Sequence, residues 1–133
     1  MNTVAKDIMS TEVMSVREGT SVEDAMKVLV NSRITGLPVV DSEGKLVGIF
    51  SDYDVLTQLA APPSTGAAHF SEPIRYSTGI QGVDEKTPLE TILQHFVDSR
   101  FRRLPVLNQQ GRLVGIITRR DLMKLFYYRA ALA

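Results

Sequence analysis

The chain has 133 residues, 44% hydrophobic and 23% charged, with 15 Lys/Arg balancing 15 Asp/Glu and no cysteine. That composition fits a soluble globular protein and argues against disorder, a disulfide framework and thiolate chemistry. No apolar run approaches the roughly 18 residues of a membrane span, and MNTVAKDIMSTEV has charges where a signal peptide is apolar, so a cytoplasmic location is expected.

In chain order, a short strand is predicted around Val13–Val16. A helix follows, opened by Thr20-x-x-Glu23 as a capping box and carrying Val22, Ala25, Met26, Leu29 and Val30 at helical spacing. Two short apolar strands, Leu37–Val40 and Leu46–Phe50, flank the turn Asp41-Ser42-Glu43-Gly44 and form a hairpin. A second helix starts at once, about Asp52–Leu59. Residues 60–79, rich in Ala, Pro, Ser and Gly, then read as a connector.

The same order repeats. A shift of 67 positions lays residues 16–54 on 83–121 without a gap, with 16 of the 39 pairs identical. The second copy has a strand around Ile80–Val83 and a helix at Thr87-x-x-Glu90, with Pro88 at its first position and Leu89, Ile92, Leu93, Phe96 and Val97 on its apolar face. Strands at Leu104–Leu107 and Leu113–Ile117 and a helix over Arg119–Tyr128 complete it. The predicted fold is therefore α/β (α+β), with two β-α-β-β-α repeats. Each is too small to bury its apolar face alone, so they are expected to pack sheet to sheet with pseudo-twofold symmetry. Along the chain this gives repeat 1 at 1–60, a connector at 61–79 and repeat 2 at 80–133.

Charge divides unevenly: residues 1–66 hold 5 Lys/Arg and 9 Asp/Glu, residues 67–133 hold 10 and 6. The basic second half admits a phosphate-bearing partner. Each repeat also places a hydroxyl and an acid three residues apart just after a strand: Ser51-x-x-Asp54 and Thr118-x-x-Asp121. This spacing is a capping-box signature. It also sets a hydroxyl and a carboxylate beside fresh helix N–H groups, which favour an anion. The carboxylate would repel a phosphate but suits a neighbouring ribose diol. The Asp in place of the Glu of the two earlier boxes favours a binding role, and the residues can cap when empty and bind when filled.

The runs DIMSTEV, GLPVVDSEGKLVGIFSDYDVL and RLPVLNQQGRLVGIITRRDLM resemble a tandem pair of CBS domains, the Bateman module named after cystathionine beta-synthase. The resemblance covers about Val4 to Tyr128 and is that of a stand-alone pair. It implies a regulatory module that binds AMP, ADP, ATP or another adenosine-containing ligand in the cleft between repeats. In that pattern the Asp accepts hydrogen bonds from ribose hydroxyls, the Ser/Thr binds ribose or phosphate, and the Gly-hydrophobic-Pro segment of the other repeat covers adenine. Carried onto this chain, Thr118 and Asp121 would face Ile34, Thr35, Gly36, Leu37 and Pro38, with Thr20 nearby, a small apolar wall for a purine. Ser51 and Asp54 would face Phe101, Arg102, Arg103, Leu104 and Pro105, with Thr87 nearby. The family often has a small residue where Arg103 stands, so that site is expected to depend more on phosphate, gripped by paired arginines. Arg119 and Arg120 could also reach phosphate, at least one of them pointing to solvent.

Other conspicuous residues read as structural. His69 and His95 have no partners at metal-ligand spacing, so no metal site is expected. Tyr53 reads as a partly buried aromatic, Asp52 as a first-turn helix residue, and Phe126, Tyr127 and Tyr128 as a packing surface. The sequence offers no Ser-His pair, phosphate-cradling Gly-Lys-Ser/Thr loop or metal cluster, which argues against an enzyme and against a catalytic cofactor. Zero net charge and no helix-turn-helix or RNA-binding motif argue against nucleic acid. The expected partners are an adenine nucleotide as regulatory ligand, a second copy in a homodimer and a regulated enzyme or transporter, without membrane insertion. The alternatives are a degenerate pair kept for dimerisation or protein interaction, and a nucleic-acid binder using the basic second half.

Overall fold

The computed structural model describes residues 2–62, 69–80, 82–99 and 102–132. It has two three-stranded sheets in two compact units, one of residues 14–80, the other of residues 1–13 with 81–133.

In the first of these, β1 (Val16–Arg17) leads to α2 (Val22–Ser32), β2 (Gly36–Val40), β3 (Leu46–Ser51) and α3 (Asp52–Ala60). The sheet order is β1-β2-β3, with β1 parallel to β2 and β2 antiparallel to β3. Alternation along β2 sends Leu37 and Val39 to a core shared with Val22, Ala25 and Leu29 of α2, Phe50 of β3 and Val55 of α3. At the hairpin, Asp41 Oδ1 accepts from the N–H groups of Glu43 (2.8 Å) and Lys45 (3.0 Å). Gly44 takes the left-handed conformation this turn needs, at φ 81°.

The second unit repeats the plan with β4 (Val83–Asp84), α4 (Leu89–Ser99), β5 (Arg103–Leu107), β6 (Leu113–Thr118) and α5 (Arg119–Leu132). Its core gathers Leu89, Ile92, Phe96, Leu104, Val106, Ile117 and Leu122, joined by Ala5 of α1 (Ala5–Ile8). Asn108 Oδ1 takes the hairpin role of Asp41, accepting from Gln110 and Arg112 N–H at 3.0 Å each.

The helix starts differ from the sequence expectation. Ser21, not Thr20, caps α2, its side chain accepting from Asp24 N–H at 3.1 Å. The Thr20 hydroxyl donates to Arg17 O at 2.6 Å, and Thr87 Oγ1 accepts from Asp84 N–H at 3.0 Å. Both threonines are spent on the tight turn between strand and helix, and α4 begins at Leu89, after Pro88. The helix faces also divide: Val22, Ala25 and Leu29 are buried while Val30 is 71% exposed, and Val97 on α4 is 65% exposed.

The segments before each repeat pack against the other repeat's sheet. Ser10 pairs with Ile116 of β6 through two backbone hydrogen bonds (2.9 and 3.0 Å), and Ser77 pairs with Ile49 of β3 through two of 2.9 Å. β3 and β6 are sheet edges, so each segment satisfies an edge that would otherwise be open. The units of packing therefore differ from a division of the chain at 60 and 80: residues 1–13 belong with the second repeat, and His69–Ser77 of the connector belong with the first. The contacts demand glycine. A Cβ on Gly48 would run into the Tyr76 ring and Ser77 O, and one on Gly115 into the Met9 side chain. Gln58, buried on α3, fastens the connector further by donating to Pro73 O (2.8 Å) and accepting from Arg75 N–H (2.9 Å). Beside it the buried Glu72 lies 3.2 Å from His69 Nδ1 and 3.4 Å from Arg75 Nη2.

Candidate functional site

Each hydroxyl-x-x-Asp motif lies where an edge strand runs directly into a helix. Ser51 ends β3 and is the N-cap of α3. Its side chain accepts from Asp54 N–H (3.2 Å), and Asp54 Oδ2 accepts from both the Ser51 N–H (2.9 Å) and the Ser51 hydroxyl (3.0 Å). Thr118 and Asp121 reproduce the box: Asp121 Oδ2 accepts from Thr118 N–H (2.8 Å) and Thr118 Oγ1 from Asp121 N–H (3.1 Å). The capping reading is thus realised at both Asp motifs, whereas among the described residues the hydroxyls of Thr20 and Thr87, expected to open Glu-containing boxes, bond to Arg17 O and Asp84 N–H.

The cap fixes each carboxylate by one oxygen. Among the described residues, Oδ1 of Asp54 has one hydrogen-bond partner, the Ser77 hydroxyl at 3.5 Å. Oδ1 of Asp121 has no hydrogen bond among the described residues. All four motif residues are half-buried, so the free oxygens sit in a partly exposed rim beside helix N–H groups.

The start of the neighbouring strand joins the same rim. Gly36 pairs in register with Ser51, and Thr35 O accepts from Asp52 N–H at 2.9 Å. Thr35 is exposed and Ile34 half-buried against the core. A Cβ on Gly36 would meet Ile49 Cγ2 only at 3.7 Å, an ordinary contact, so glycine is not required by the backbone here. It leaves open surface beside Ser51, and in the other unit Arg103 stands in that register opposite Thr118. Arg102, Arg119 and Arg120 are exposed close by along the chain.

Several residues grouped with the site by sequence have other local roles within their own unit. Leu37 and Leu104 are fully buried core residues, since strand alternation turns them away from the rim. Pro38 and Pro105 are buried within β2 and β5. Thr20 and Thr87 serve the turns described above, and Phe101 lies outside the described residues. Tyr53, expected to be partly buried, is 70% exposed because it follows Asp52 on the outer side of α3. Ser77 and Ser10 were not singled out from sequence, although they are related by the same 67-residue shift. Among the described residues no group of three His, Asp or Glu could hold a metal ion, and no helix is long and apolar enough to cross a membrane.

A CBS domain profile matches residues 5–61 and 76–128. Among solved structures, the chain is similar to CBSX2 of Arabidopsis thaliana in complex with AMP, at 30% identity and TM-score 0.78, over 96% of this chain and 98% of that one. It resembles the CBS domain pair of protein MJ0100 in complex with 5'-methylthioadenosine and S-adenosylmethionine, at 26% identity and TM-score 0.76, over 97% and 99% of the two chains. A third likeness, at 28% identity and TM-score 0.76, is to the cytosolic domain of the Mg2+ channel MgtE in complex with ATP, over 92% of this chain and 48% of that one. The chain spans 57% and 56% of two curated relatives that it matches at 34% and 32% identity. With the profile matched over both repeats and the fold shared along nearly its whole length, the chain belongs to the CBS domain family.

Proposed function

We propose that this chain is a regulatory module that binds an adenosine-containing ligand, AMP, ADP or ATP, without turnover of its own, through the carboxylates of Asp54 and Asp121. One observation carries the reading: each carboxylate is locked by its own strand-end cap through Oδ2, while Oδ1 keeps acceptor capacity at a half-buried rim. A carboxylate is acceptor-only when ionised, so it suits the vicinal hydroxyls of a ribose and disfavours a phosphate at the same spot. The ligands of the similar solved structures, AMP, methylthioadenosine, S-adenosylmethionine and ATP, share the adenosine and differ at its 5' end. Ser51 and Thr118 serve as hydroxyl contacts, and the exposed N-termini of α3 and α5 attract the 5' phosphate. Ile34, Thr35 and Gly36 offer a small surface suited to a purine face. Arg102 and Arg103, with Arg119 and Arg120 on α5, offer cations suited to a longer phosphate chain.

A homodimer is part of the reading. Val30 and Val97, and Leu56 and Met123, are repeat-related pairs of large apolar side chains, each more than 60% exposed. Matched apolar patches of this kind suit a self-complementary contact with a second copy. The regulated partner is an enzyme or transporter that reads the liganded state.

A thermal-shift panel of AMP, ADP, ATP and S-adenosylmethionine tests the proposal on wild type, Asp54→Ala and Asp121→Ala. Each alanine variant loses a cap bond, so the readout is the ligand-induced shift, not the absolute melting temperature. Wild type gains stability with at least one adenosine ligand, each variant gains less, and Arg102→Ala/Arg103→Ala lowers the response to ATP more than to AMP. No shift with any ligand, or full shifts in both aspartate variants, defeats the reading.

A further inference from the structure

The Asp54 carboxylate is shared out unevenly. Oδ2 already accepts two hydrogen bonds, from the Ser51 N–H and the Ser51 hydroxyl, which use both of its lone pairs. While the Ser51 hydroxyl keeps this bond, a ribose diol docking on Asp54 finds its acceptor capacity on Oδ1. One lone pair there is taken by the Ser77 hydroxyl at 3.5 Å. Ser77 is held at this point by its backbone: two 2.9 Å bonds tie it to Ile49, two residues before Ser51. Tyr76 beside it lies over Gly48, which has no Cβ to push the segment away. Gln58 anchors the same segment at Pro73 and Arg75.

The repeat supplies an internal control. Ser10 is tied to Ile116 by the same pair of backbone bonds, two residues before Thr118. Yet among the described residues Ser10 makes no hydrogen bond to Asp121, and Asp121 Oδ2 accepts only from Thr118 N–H. Two serines at matching positions therefore leave one aspartate more open than the other.

We propose that Ser77 sets the ligand affinity of the Asp54 motif: its hydroxyl occupies the acceptor that a ribose hydroxyl needs, and an adenosine ligand binds there by displacing it. This rests on the adenosine reading above. The consequence is a coupling: a ligand on Asp54 releases a side chain of the connector, whereas a ligand on Asp121 has no such hydroxyl to displace.

Two measurements on Ser77→Ala and Ser10→Ala test this. The first needs no nucleotide: the 13C carboxylate resonance of Asp54 moves in Ser77→Ala, while that of Asp121 stays in place in Ser10→Ala. An unmoved Asp54 resonance means the contact is absent, and the proposal fails whatever the ligand does. The second is calorimetric titration with AMP in the Asp121→Ala background. There Ser77→Ala tightens binding by on the order of three- to tenfold, the worth of one long, exposed hydrogen bond, and Ser10→Ala leaves it unchanged. Weaker or equal binding in Ser77→Ala overturns displacement and makes the serine a ligand contact or a bystander. If the Asp54 resonance moves but AMP, ATP and S-adenosylmethionine bind no variant, the adenosine reading is what failed, and displacement falls with it.

Discussion

The two units follow one chain trace and fill it differently. Where residues 14–80 place Ala25, Leu29 and Phe50 in the core, the other unit has Ile92, Phe96 and Ile117, so bulk removed from the strand is returned on the helix. The hairpin acceptor is Asp41 in one and Asn108 in the other, the helix residue facing the added segment is Gln58 or Leu125, and the rim residue is Gly36 or Arg103. Unchanged are the hydroxyl–aspartate cap, the hairpin oxygen that accepts two N–H groups, and the serine bridge on the edge strand. The repeat thus keeps the groups that satisfy backbone polarity and varies those that set volume, charge and access. If both rims bind as proposed, two differently loaded rims on one backbone plan would give sites that respond to different concentrations or different 5' groups of one ligand class.

The sharpest test of this comparison is at the close approaches. A Cβ on Gly48 meets a backbone oxygen, Ser77 O, as well as the Tyr76 ring, while the three nearest atoms to one on Gly115 are Sδ, Cγ and Cβ of Met9. The nearer Met9 atoms, Sδ and Cγ, can swing aside on flexible torsions and leave only the Cβ contact to be eased by the backbone, whereas a carbonyl held in a two-bond bridge has no torsion of its own. Gly48→Ala is expected to cost about 3 kcal/mol and Gly115→Ala about 1 kcal/mol, the upper and lower reaches of overpacking costs. Urea unfolding midpoints of the two variants measure it. Equal losses would erase the distinction between a rigid and a yielding segment.

A smaller effect is expected at Gln58. Its amide satisfies Pro73 O and Arg75 N–H, whereas Leu125 at the matching place packs against the apolar core beside α1. Gln58→Leu copies the other unit's chemistry without its apolar partner. Pro73 and Arg75 are exposed enough for water to replace part of what is lost, so about 1–2 kcal/mol is expected. Limited proteolysis within the connector should also quicken. An unchanged midpoint and cleavage rate would mean that the two backbone bonds of Ser77 hold the connector unaided.

Much of this was legible in the sequence, and the gaps have physical causes. The 67-residue shift exposes the β-α-β-β-α order, both hairpins and both hydroxyl–aspartate motifs because these depend on local periodicity and turn chemistry. Thr20 misled because a capping signature does not say which of two neighbouring hydroxyls faces the helix, and Ser21 was one residue away; Thr87 misled because its hydroxyl turns back to Asp84 N–H and the helix starts only at Leu89, after Pro88. Leu37 and Leu104 entered the site with the whole Gly-hydrophobic-Pro segment that the resemblance implies, and a segment named as a block does not say that a strand sends adjacent residues to opposite faces, with these two in the cores. Ser10 and Ser77 escaped because the identities that mark the repeat begin at Val16, and a bridge to a strand more than 25 residues away leaves no local pattern. Only the recurrence of serine at both places hints at them.

The smallest effect separates the hairpins by pH. Asp41 has its carboxyl lowered from the ordinary 3.8, chiefly by the Lys45 N–H it accepts, with further help from the Glu43 N–H and the Lys45 charge against a smaller opposing effect of burial. A depressed folded-state value means that the stabilisation is complete above about 3.8 and fades as pH falls through the folded value. Asn108 makes the same two bonds with an oxygen that does not titrate in this range. Asp41→Asn should therefore flatten the fall in melting temperature between about pH 5 and pH 2.5, and Asn108→Asp should steepen it. The Asp41 turn is exposed, so each change is a small difference in slope, best read by calorimetry at several pH values against wild type. Parallel curves for all three proteins would show that the two turns hold equally well in acid, and that the carboxylate of the first hairpin adds nothing its amide counterpart lacks.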